Sequence, residues 1–224
     1  MVCVKTMRNT KVLIAITVII LIFSGMTLFS IAFINNSPGL YKYSVDIEGL
    51  DNYQSSLITD IIVPIPHREG QPVFSDDELQ YQVFGDWKSV IVVTPVGKML
   101  AFQYVGGNLT NIHAVFYKKY PDGITVKNIT TESFAPALPL VHSPYTQRIS
   151  GSDPTSEFST IIYIPDTIQP KQSKENLISI NLNLLIDEGM QHSLSGKVYD
   201  VTVYEQIPAG IYNSIPVVVQ ILEK

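Results

Sequence analysis

Cysteine is nearly absent: the 224 residues hold one, Cys3, on the charged side of a long apolar run. Cys3 reads as a free thiol rather than a palmitoylation site. Nothing beyond it can form a disulfide, so any folded domain must rest on its hydrophobic core. A chain the size of residues 41–224 can do this, because it buries roughly 70% of the surface it exposes unfolded. Acidic residues are absent before Asp46, whereas Lys5, Arg8 and Lys11 precede it. Beyond residue 34 there remain 12 basic and 20 acidic side chains, a formal charge of −8. Such a domain repels phosphate backbones, which excludes nucleic acid as a partner, and it offers no basic run for anionic lipid. The motifs HExxH, GxSxG and the Walker loop are also missing, and no cofactor-binding pattern appears.

Charge is absent altogether from Val12 to Ile34, 23 residues that span roughly 35 Å as a helix. That length crosses a hydrocarbon core of about 30 Å with some tilt. The basic residues flank one end only, so residues 1–11 are expected in the cytoplasm, 12–34 in the bilayer, 35–40 as a linker and 41–224 outside. The alternative is a cleaved signal peptide with an apolar region over 12–23 and a Ser30-Ile31-Ala32 site. The run is too long for that and continues through Phe33 and Ile34.

After Pro38-Gly39 the pattern alternates. Tyr41, Tyr43, Val45 and Ile47 face one way, and Lys42, Ser44, Asp46 and Glu48 the other, a half-buried strand. Ile178, Ile180, Leu182, Leu184 and Ile186 repeat this against Ser179, Asn181 and Asn183. Further β-rich runs lie at 57–65, 89–94, 98–105, 112–118, 124–130, 158–164, 198–205 and 215–222. About ten strands follow, and the spacing predicts a mainly β domain, an antiparallel β-sandwich of immunoglobulin-like or jelly-roll-like type. Thr94-Pro95-Val96-Gly97 predicts a hairpin between 89–94 and 98–105, and Tyr120-Pro121-Asp122-Gly123 predicts another between 112–118 and 124–130. A third is expected to begin at Pro208-Ala209-Gly210. Ser75-Asp76-Asp77-Glu78 predicts a capping box opening a short helix through Tyr81. Residues 134–157, broken by four prolines, are expected to cross between sheets of one domain.

The candidate sites are sparse. His67, His113, His142 and His192 lack metal-ligand spacing. His67-Arg68-Glu69 and the pair Ser195 with Lys197 are the best local groupings for catalysis, and both read more simply as loop chemistry. Asp51, Asp60, Asp86 and Asp200 are expected near strand ends, where calcium could assemble a site. No catalytic, cofactor-binding or metal residue is assigned. Three sequons, at Asn35, Asn108 and Asn128, lie on the expected outer side as candidate N-glycosylation acceptors. All 12 tyrosines and Trp87 follow the apolar run; most suit strand positions, and a surface strip for carbohydrate or protein is the alternative.

The stretch 60–103, DIIVPIPHREGQPVFSDDELQYQVFGDWKSVIVVTPVGKMLAFQ, with SFAPALPL and YIPDTIQP further on, resembles single-pass membrane-anchored β-rich proteins of methanogenic archaea. That resemblance brings no activity or site residue to carry over. Our sequence reading is a non-enzymatic envelope protein, held by the bilayer through 12–34, that binds an envelope protein or a glycan. The alternative is an extracytoplasmic hydrolase or ligand-binding accessory subunit with its site dispersed among loops.

Overall fold

The structure, a computed structural model, describes residues 16–26, 38–127, 129, 132–141, 156–171, 177–189, 196–208 and 214–224. Residues 16–26 are helical (α1), and its large apolar side chains, from Ile16 round to Met26, are 48–67% exposed on every side. No helix among the described residues is long and apolar enough to cross a membrane. The rest of the 12–34 run lies outside the described residues.

Fourteen strands appear among the described residues, in three antiparallel sheets. The first sheet has six. They are β1 (Gly39–Glu48), β8 (Ile112–Tyr120), β10 (Ser156–Ile162), β12 (Leu177–Asp187), β13 (Val198–Pro208) and β14 (Ile215–Glu223), in the order β10-β14-β13-β12-β1-β8. The second holds β2 (Tyr53–Val63), β5 (Val83–Phe84), β6 (Trp87–Thr94), β7 (Gly97–Asn108) and β11 (Gln169–Pro170), in the order β11-β2-β7-β6-β5. The third is small: β3 (Ile65–Arg68) between β4 (Gln71–Pro72) and β9 (Glu132–Ala135).

The period-2 pattern explains the packing. Tyr41, Tyr43, Val45 and Ile47 of β1 are buried, as are Ile178, Ile180, Leu182, Leu184 and Ile186 beside them on β12. These meet Ile61 and Val63 of β2 and Leu100 and Phe102 of β7 in one core shared by both large sheets. Each such aliphatic side chain contributes about 1.5–3 kcal/mol by leaving water. Along one side, Tyr43, Phe74, Phe84, Phe102, Phe116 and Phe134 form a chain of rings with centroids 5.3–6.5 Å apart. Phe134 of β9 brings the small third sheet into this chain.

Several expectations are corrected. The run expected at 57–65 is two strands, because β2 begins at Tyr53 and ends before Pro64, whose nitrogen cannot donate to a ladder. Residues 124–127, after the turn at 120–123, form no strand, and 128, 130 and 131 lie outside the described residues. The turn itself forms, with Gly123 N–H donating to Tyr120 O at 3.0 Å and Gly123 at φ 72°. Ile124 N–H then goes to Glu188 O rather than back to β8, and the Ile124 side chain is buried. β8 pairs instead with β1, which supplies a longer apolar face than 124–130 could. The β6–β7 hairpin forms as expected, and β13 and β14 are antiparallel neighbours, although residues 209–213 between them lie outside the described residues. The short helix also forms: α2 (Asp76–Leu79) follows Ser75, whose N–H donates to Glu78 Oε2 at 2.7 Å. Of the crossover expected at 134–157, residues 142–155 lie outside the described residues.

Candidate functional site

Alternation turns Asp46 and Glu48 of β1 outward, away from the core that holds Val45 and Ile47. The register then decides their neighbours. Asp46 lies between His113 of β8 and Asn181 of β12, and Asn181 lies beside Tyr204 of β13. Glu48 lies beside Ser179, and Ser179 beside Gln206. Directly opposed residues have Cβ atoms about 4.5–5.5 Å apart, so four strands deliver one continuous polar surface. Asp46, Glu48, Ser179, Asn181 and Tyr204 line a groove of about 250 Å³ there.

Two contacts organise this surface. His113 Nδ1 is 3.0 Å from Asp46 Oδ1, with both side chains substantially solvated. Gln206 Nε2 donates to Tyr204 Oη at 3.3 Å and steadies the phenol at the groove's edge. The groove thus presents carboxylate acceptors, a carboxamide that donates and accepts, a hydroxyl and an aromatic face. That combination suits a ligand rich in hydroxyl groups, which both donate and accept.

Of the residues singled out in the sequence, His113 joins this surface, and the other described ones are placed elsewhere. His67 lies on β3 and donates from Nδ1 to Ile65 O at 3.1 Å, while Arg68 Nη2 donates to Thr125 O at 3.3 Å. Glu69 occupies the following turn at φ 48°. The triplet is therefore spent on backbone and turn contacts. Lys197 Nζ lies 2.7 Å from Glu223 Oε1, and this hydrogen bond holds its ammonium above the ordinary lysine value. Ser195 lies outside the described residues, as do His142 and His192. Asp60 is not at a strand end but within β2, opposite Gln103. Asp51 falls in the helical turn after β1, Asp86 in the turn before β6 and Asp200 within β13, where it meets Lys224. Among the described residues no three His, Cys, Asp or Glu side chains gather as a metal site. Tyr41, Tyr43, Tyr53 and Trp87 are core residues, whereas Tyr81 and Tyr117 are exposed.

Asn108 ends β7 with its side chain exposed, and Asn35 and Asn128 lie outside the described residues. A second pocket, about 330 Å³, adjoins Asn108 and is lined by Gln54, Ser55, Ser56, Gly107, Thr167 and Gln169 as well.

The groove was missed from sequence because its residues looked like an ordinary solvent face. The outward positions of β1 and β12 were visible, but their adjacency to His113 and Tyr204 was not. The chain matches no protein-family model, no curated protein and no solved structure.

Proposed function

We propose that this chain is a membrane-anchored, non-catalytic envelope protein that holds a polyhydroxylated ligand, a glycan, on the outward face of its six-stranded sheet. The observation that carries the reading is the groove of Asp46, Glu48, Ser179, Asn181 and Tyr204. Support for the anchor comes from α1. A short helix apolar on every side is unstable in water, and only hydrocarbon or protein satisfies such a surface. Ser24 Oγ donates to Leu21 O at 3.0 Å, which keeps its hydroxyl satisfied within the helix. Asp46 lies seven residues along β1 from Gly39, about 23 Å from where the chain enters the sheet. A groove that far along the strand would stand clear of the bilayer, open to the envelope. The finer sandwich type, immunoglobulin-like or jelly-roll-like, belongs to the same reading, supported by two facing antiparallel sheets.

The hydrolase reading draws on the His113–Asp46 pair, in which a carboxylate orients an imidazole. It would need a nucleophile or an activated water within reach of that ring. Titration of detergent-solubilised full-length protein with envelope glycans tests both readings. Binding weakened at least about tenfold, 1.4 kcal/mol, by Asn181→Ala and by Tyr204→Ala supports the proposal. Turnover of a glycan or ester abolished by His113→Ala defeats it in favour of the hydrolase.

A further inference from the structure

We infer that Asn108 carries an N-linked glycan, attached before the sandwich closes, whose first sugar rests in the pocket beside the β2 bulge. The inference rests on the outward placement of the domain proposed above, and on three features of the chain around Asn108.

The first is the acceptor. Asn108 is exposed, but its sequon partner is not: Leu109 is 1% exposed and the Thr110 hydroxyl is shielded from solvent without a hydrogen-bond partner. The sequon's backbone is also tied down. Tyr104 Oη donates to Asn108 O at 2.7 Å, Leu109 N–H to Tyr53 O at 3.2 Å, and Trp87 Nε1 to Thr110 O at 2.8 Å. A transferase that reads Asn-x-Thr must reach the threonine hydroxyl, so the folded domain is a closed substrate. Modification therefore precedes docking of this segment against Trp87 and Tyr53.

The second is the pocket. Its lining of carboxamides, hydroxyls and backbone carries no charge, and 330 Å³ lies at the small end of ligand pockets, the size of one sugar unit. It exists because β2 bulges. Gln54 and Ser55 pair with Asn108 and Gly107, and the register then slips so that Ile58 pairs with Val105. Ser55 Oγ bonds both the N–H and the carbonyl of Leu57, at 3.3 and 3.1 Å, which fixes the bulge.

The third is what the bulge leaves bare. Leu57, Ile58 and Val105 are 60%, 60% and 77% exposed, with Ile58 directly opposite Val105 and Leu57 within the bulge. Among the described residues β2 is paired on that edge only near Tyr53 and Gln54, by β11, and at Ile62, by Tyr163. An apolar patch beside a part-unpaired strand recruits other strands unless something covers it, and a glycan rooted at Asn108 does so. The donor is a sugar activated at C1 by a lipid-borne phosphate. The Asn108 Nδ2–C1 bond forms, the C1–O bond to phosphate breaks, the phosphate leaves with the bonding pair, and one amide proton passes to a base of the transferase.

The test uses full-length protein from a glycosylating host, with a flexible Asn-Gly-Thr appended after Lys224, read by peptide mass mapping. Both sites should be occupied. A modified tag with bare Asn108 overturns this inference and leaves the outward placement standing, whereas two bare sites remove the placement and the inference with it. For the order of events, a peptide spanning 104–112 and the bare folded chain are offered to the transferase with its lipid-linked donor. The peptide should react at least about tenfold faster, since the folded chain must first open locally. Equal rates would overturn prior attachment. For the pocket, Asn108→Gln and enzymatic deglycosylation should each lower the Tm by about 2–4 °C and speed hydrogen exchange at 55–58. Loss of the sugar with Tm and exchange unchanged would show that it is not seated there.

Discussion

The phenol of Tyr43, buried on β1, donates a 2.8 Å hydrogen bond to the carbonyl of Pro64, where β2 gives way to β3. One side chain thereby ties the six-stranded sheet to the break in its partner. Burial pushes the Tyr43 pKa well above its ordinary value of 10.0. Tyr43→Phe should cost about 1–3 kcal/mol, because the Pro64 carbonyl loses its donor in a dry site. The pH dependence has a definite sign. The folded state keeps Tyr43 neutral, so its contribution is complete below pH 10.0 and is lost as pH rises and the unfolded chain ionises. Urea midpoints of the two proteins measured from pH 8 upward should therefore converge on the alkaline side.

Glu78 provides the opposite sign. Burial pushes its pKa up, but the Ser75 N–H, the Lys118 ammonium at 2.9 Å and the Ser75 hydroxyl outweigh this and hold it below 4.5. Its contribution is then present above pH 4.5 and lost as pH falls through the lowered value. Glu78→Gln keeps an acceptor for the Ser75 N–H but loses the charge that draws Lys118, and should cost about 0.5–1 kcal/mol at neutral pH. The gap between variant and parent, read from denaturant midpoints, should shrink below pH 4.5.

Gly49 turns the chain out of β1 at φ 84°, and a Cβ there would meet Leu177 O at 2.5 Å. Gly49→Ala combines left-handed strain with a backbone clash on β12. A loss of about 1–3 kcal/mol is expected, visible as a drop in Tm. A neutral result would mean that the β1 exit and β12 can separate.

The groove residues should behave differently. Asn181→Ala sits on the solvent face, so a change of at most about 0.5 kcal/mol in stability is expected while glycan binding falls. Circular dichroism melting beside a binding titration separates the two effects.

Reductant should leave the Tm unchanged, since the sole cysteine, Cys3, lies ahead of the apolar run. Chelator should also leave it unchanged, because the described carboxylates and histidines form no group of three. A shift with chelator, in a melting scan, would point to ligands outside the described residues.

Local periodicity by itself determined much of this protein. The alternation in β1 and β12 names the buried side chains and the outward Asp46, Glu48, Ser179 and Asn181. Pro95 and Gly97 specify the β6–β7 turn, and Ser75 with Glu78 the start of α2. These are short-range effects, set by side-chain spacing and backbone preference. The tertiary structure decided the rest. Ile124 looked like a strand residue, yet it packs irregularly into the shared core, because β8 gains a better partner in β1. The bulge at Ser55 is a register choice between distant strands. The groove exists because β8, β1, β12 and β13 adjoin in that order, although residues 46, 113, 181 and 204 are far apart in the chain. Strand order follows from which faces bury most apolar surface together, a comparison among whole segments that no local pattern contains.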